Sequence, residues 1–82
     1  MSVEELKRNA REVDVIVHVD DRLDQCSRLR MEDVVEREFG VVKARFNAQH
    51  HHLMIVAYDP EQINSMMILS NIKHQNVSAQ LV

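Results

Sequence analysis

Residues 53–60, "LMIVAYDP", set six apolar or aromatic residues in a row and then stop them with an aspartate and a proline. In an extended chain successive side chains point to opposite faces. Met54, Val56 and Tyr58 therefore share one face, and Leu53, Ile55 and Ala57 the other. A strand covered on one side only alternates apolar with polar residues. This one is apolar on both sides, which predicts a central strand.

The flanking segments supply its neighbours. "VVKARFNA", residues 41–48, puts Val42, Ala44 and Phe46 on one face of a second strand, joined to the central one through His50-His51-His52. "VDVIVHV", residues 13–19, aligns Val13, Val15, Val17 and Val19 with period two as a first strand. The polar stretch "DDRLDQCS", residues 20–27, reads as a loop. Ser27 then caps a helix over residues 28–39, with Met31, Val34, Val35 and Phe39 as its apolar stripe and Gly40 as its stop. Pro60 opens a second helix through "EQINSMMILSNIKH", with Ile63, Met67, Ile68 and Ile72 predicted to be buried. A last strand, "VSAQLV", turns Val77, Ala79 and Leu81 inward. The order βαββαβ predicts an α+β, ferredoxin-like sandwich. Its antiparallel four-stranded sheet has order 4-1-3-2, with both helices on one face. Residues 1–12 form a charged arm and residues 13–82 a single domain.

Composition narrows the function. At 82 residues with 45% hydrophobic content the chain builds one core. Its single cysteine excludes an internal disulfide and points to a reducing, cytoplasmic setting. A net charge of −3 gives no broad basic field, and aromatics are only 4%, so nucleic acid is not an expected partner. Neither a signal peptide nor a run of about 18 apolar residues is present, which predicts no membrane insertion. The chain has no nucleophile–base pair at diagnostic spacing, no phosphate-cradling glycine loop and no H-E-x-x-H, and no enzymatic activity is expected. Acylphosphatase-like enzymes share the fold, but "DDRLDQCS" lacks their arginine-bearing glycine-rich loop.

In a βαββαβ sandwich three connections meet at one pole: first strand to first helix, the hairpin, and second helix to last strand. Asp20, Asp21, Asp24 and Cys26 are thereby gathered with His50, His51, His52 and His74. His18 is left apart on the open sheet face. One thiol per chain holds Cu(I) only if two copies each contribute Cys26. Carboxylates and imidazoles make a harder site, suited to Zn, Ni or Cu(II). A solvated hairpin tip and ordinary capping aspartates are the simpler alternatives. In an extended hairpin His50 and His52 face one way and His51 the other.

"EREFGVVKARF" and "IVAYDPEQI…ILSNIKHQNVSAQLV" resemble, in order and spacing, the helix end, second strand, second helix and last strand of the heavy-metal-associated domain. That module occurs in small copper chaperones and in the extensions of metal-pumping P-type ATPases. The resemblance covers residues 13–82 and implies a metal-binding or metal-carrier protein holding a transition-metal ion (Cu, Zn or Ni). The family's metal loop reads G-M-x-C-x-x-C. Counted back from Gly40, its cysteines fall on Asp24 and Ser27, its glycine on Asp21 and its methionine on Arg22, with Cys26 one residue from the second cysteine position. The resemblance therefore implies an altered site, expected to draw on Cys26, Asp24, His50, His51, His52 and His74. The family's late glycine falls on Asn76, which also tolerates a left-handed backbone. A second expectation needs no metal. Ile16, Leu53 and Ile55 form an apolar centre on the open sheet face, rimmed by Lys43, Arg45, Ser78 and Gln80, which suits a protein partner or a homodimer.

Overall fold

The computed structural model describes residues 12–82, so the expected arm, residues 1–12, lies outside the described residues except for Glu12. The elements run β1 (Val13–Val19), α1 (Gln25–Glu36), β2 (Val41–Phe46), β3 (Leu53–Tyr58), α2 (Ser65–Lys73) and β4 (Ala79–Leu81). The sheet order is β2-β3-β1-β4, all neighbours antiparallel, with β3 and β1 central as expected.

Cross-strand register explains the two faces. Val17 pairs with Met54, Val15 with Val56 and Val19 with Ala79, all toward the helices. Val17, Val19, Met54 and Val56 are fully buried there against Met31 and Val35 of α1 and Ile68, Leu69 and Ile72 of α2. On the reverse face Ile16 pairs with Ile55 and His18 with Leu53, with Arg45 beside Ile55 and Lys43 beside Ala57.

Local chemistry moves several element boundaries from their expected places. Asp24, not Ser27, caps α1: its side chain accepts the Ser27 N–H at 2.7 Å, so the helix starts a turn earlier. The helix then ends at Glu36, and Phe39, expected in its buried stripe, stands exposed beyond it. Pro60 lies in a turn held by Asp59, which accepts the Gln62 and Ile63 N–H groups. Asn64 caps α2 through the Met67 N–H. With that start Leu69 rather than Met67 is buried. A bulge between Val41 and Lys43 reverses the alternation at the start of β2, so Val41 packs inward and Val42 is exposed.

Two positive-φ residues close the connections. Gly40 has φ +94°, and a Cβ there would lie 2.9 Å from Cγ2 of Ile63. Asn76, at φ 66°, adopts the left-handed conformation expected of it. The outer edge of β2 is closed by α1. Glu36 accepts the Ala44 N–H at 2.9 Å and Glu32 the Phe46 N–H at 2.8 Å. The Ala44 hydrogen bond, followed by the Arg45 guanidinium that also contacts Glu36, holds the Glu36 carboxyl below its usual range despite partial burial. These carboxylates occupy donors that would otherwise invite another strand.

Candidate metal centre

The pole expected from topology is present. The Val19 N–H bonds the His52 carbonyl at 2.8 Å and the Asp20 N–H the Ser78 carbonyl at 2.7 Å. The end of β1, the hairpin and the start of β4 are thus stitched together. The donors expected at that pole separate into three places, and the one that holds His74 lies toward the C-terminal end of α1, away from Asp24 and Cys26.

The α1 side holds Asp24 and Cys26. Asp24 is spent on the helix cap, and the Ser27 backbone hydrogen bond lowers its carboxyl below the ordinary range. Its charge stays on the helix N-terminus, where the dipole favours it. Cys26 is exposed and free. His74 occupies the second place, at the C-terminal cap of α2, with Nδ1 donating to the Ser70 carbonyl at 2.7 Å. It faces a different recess, between the helices, with Val34, Glu38 and Met67.

The third place is a recess of about 700 Å³ lined by His18, His50, His51 and His52 with Arg22, Arg28 and Leu53. His18 is not apart, as expected from the sequence, but stacks on His52 with ring centroids 5.7 Å apart and planes 14° from parallel. Asn47 shapes the hairpin, its side chain accepting the Gln49 and His50 N–H groups at 2.7 and 2.9 Å. The His51 Nε2–H donates to the Ala48 carbonyl at 2.9 Å. His51 also borders a second recess on the α1 side, beside Gln25 and Leu29.

His52 is held twice by one residue. Its carbonyl accepts the Val19 N–H, and its ring Nδ1 donates to the Val19 carbonyl at 2.8 Å. The ring N–H takes the position the His52 backbone N–H would occupy if the β1–β3 ladder ran one pair further. His18 Nδ1 lies 2.7 Å from Asp20 Oδ1. The register carried the missing signal: pairing His18 with Leu53 puts it one residue from His52. Among the described residues no group of three or more His, Cys, Asp or Glu side chains is already placed to hold one metal ion. No described helix is long and apolar enough to cross a membrane.

The fold is similar to several solved structures. One is a copper binding domain from a P-type ATPase, 19% identical over 84% of this chain and 92% of that one, with a TM-score of 0.76. Oxidised MerP from Ralstonia metallidurans is 10% identical over 85% and 96%, at 0.75. The copper chaperone of Enterococcus hirae in its apo form is 19% identical over 83% and 98%, also at 0.75. No protein-family model and no curated protein matches the sequence. At these identities the likeness shows the fold, that of the copper-chaperone-like heavy-metal-associated domains.

Proposed function

We propose that this domain binds a transition-metal ion at the loop pole, as a carrier-type protein in which imidazoles replace the thiolate pair of the resembled family. The observation that carries this reading is the convergence of four histidines on one recess. The pole is the one where the resembled family places its metal loop, and structures of the same fold are named as copper binding and copper chaperone proteins. Imidazole nitrogen is a borderline donor suited to Zn, Ni and Cu(II). Of the donors expected from the sequence, His50, His51 and His52 border the recess, whereas Cys26, Asp24 and His74 do not line it. Isothermal titration of the full chain with Zn(II), Ni(II) and Cu(II) tests the proposal. The expected outcome is one ion per chain bound tighter than about 100 μM, roughly 5.5 kcal/mol. Weaker binding for all three ends the reading.

A second reading rests on the sheet face away from the helices. Ile16 and Ile55, directly paired, are 39% and 40% exposed, with Leu53 half-buried beside them and Lys43 and Arg45 at the rim. Such a face suits docking of a second copy or another protein. Sedimentation of the wild type and of Ile55→Lys decides it: a dimer that the substitution converts to monomer is the expected result. A wild type monomeric at high concentration removes self-association.

A further inference from the structure

We infer that the recess between the end of β1 and the histidine hairpin is an oxyanion site, taking a phosphate group as the free ion or as part of a small organic ester. This goes beyond the metal-binding reading and does not rest on it. The lining carries the argument: Arg22, Arg28, His18, His50, His51 and His52 border one space of about 700 Å³. Among the described residues no carboxylate lines it. The chain as a whole is acidic, with a net charge of −3, so this gathering of cationic side chains is local. Arg37 and Arg45 are paired with Asp33 and Glu36, whereas Arg22 and Arg28 form no ion pair with a described carboxylate.

Arg28 is held in place without being neutralised. Its guanidinium donates to the Leu23 carbonyl at 2.6 Å, which occupies part of its donor set and leaves its charge without a counterion. A guanidinium fork fits the oxygens of a phosphate, and two of them suit an anion with several terminal oxygens. The histidines add charge on protonation. His52 Nδ1 already donates to the Val19 carbonyl and His18 Nδ1 lies 2.7 Å from Asp20 Oδ1, so an added proton goes to Nε2. Two carboxylates outside the recess pull the other way. Asp20 acts through His18, and Asp24, spent on the Ser27 N–H, lies in the field of Arg28. Leu23 and Leu53 give the recess an apolar side, and its volume is that of a small-molecule site rather than of a bare ion. The two arginines oppose a metal ion, so the two ligands compete: the oxyanion favours protonated rings and the metal neutral ones.

Titration of the full chain with inorganic phosphate and with phenyl phosphate, at fixed ionic strength in metal-free buffer, tests the inference by NMR. The expected result is saturable shifts of the Arg22, Arg28 and hairpin histidine signals, with a Kd below about 1 mM. Tighter binding of phenyl phosphate assigns an ester that uses the leucines, and equal affinity assigns the free ion. Arg28→Gln is expected to weaken binding about 10–100-fold and Arg22→Gln about 10-fold. Arg22 is exposed and has no described ion-pair partner, so its variant keeps the fold. Arg30→Gln removes the same charge from α1 outside the recess and should leave affinity unchanged. No saturable shift with either probe at about 10 mM, or an equal loss in Arg30→Gln, overturns the inference. Zn(II) titration of the same proteins separates the two readings, and Arg28→Gln should retain or strengthen metal uptake. Phosphate binding without Zn(II) uptake by the wild type supports this inference and ends the metal reading. Zn(II) uptake without phosphate binding does the reverse.

Discussion

Two sides of one pole carry metal-capable groups, and they differ in what the backbone demands of them. On the helix side, Asp24 satisfies an otherwise unpaired N–H of α1, and Cys26 stands exposed on the first turn. On the sheet side, His18 stands within β1 and stacks on His52 of the hairpin, each with its Nδ1 in a hydrogen bond. A loop donor beside a helix start is consumed by the helix end it flanks. A histidine ring engaged at one nitrogen still carries a second. The altered loop and the histidine hairpin are thus unequal candidates, although topology brings them to the same end.

Support from beneath gives the largest way to break the contrast. Met54 is fully buried two residues from His52, and Met54→Ala is expected to cost about 2–5 kcal/mol in urea denaturation. Its strand holds the sheet side, so metal affinity should fall with it. Gly40→Ala is the control at the opposite pole. Positive φ and the 2.9 Å approach to Ile63 are expected to cost more than about 1 kcal/mol, with the affinity of the remaining folded protein unchanged.

Smaller effects sharpen the comparison. Glu36 has a folded-state pKa below its unfolded one, held there first by the Ala44 N–H and then by Arg45. Its contribution is present above the ordinary glutamate value, about 4.3, and is lost as pH falls through the lowered folded value. Glu36→Gln should therefore lower stability near neutrality and flatten its decline in acid, as read by thermal midpoints across pH. Asp24 gives the smallest effect. Asparagine caps nearly as well as aspartate, so Asp24→Asn should leave both the midpoint and Zn(II) affinity almost unchanged, whereas Asp24→Ala should lower the midpoint alone. A large loss of affinity in Asp24→Asn would make the helix side a ligand after all.

Strand alternation made the sheet readable. The two apolar faces of residues 53–58 mark a central strand, and the element order βαββαβ leads to the order of all four strands. Helix starts were less legible because each region offers competing caps. Asp24 and Ser27 are both good capping residues, and only the Asp24 contact to the Ser27 N–H separates them. Pro60 advertises a helix, yet Asn64 begins it. The bulge at Val41 and Lys43 leaves no mark in composition, so Val42 was placed on the wrong face. For the candidate site, the pole and the histidine hairpin were legible. The pairing of His18 with the hairpin was not, because it depends on register and on a ring N–H standing in for a backbone one.

Nitrogen-15 ring spectra recorded while Zn(II) is added stoichiometrically to the full chain test the central claim most directly. The account predicts that ring signals of the histidines bordering the recess shift together and saturate at one equivalent, with the Cys26 side chain unmoved. Saturation at Cys26 with those rings undisturbed would contradict it.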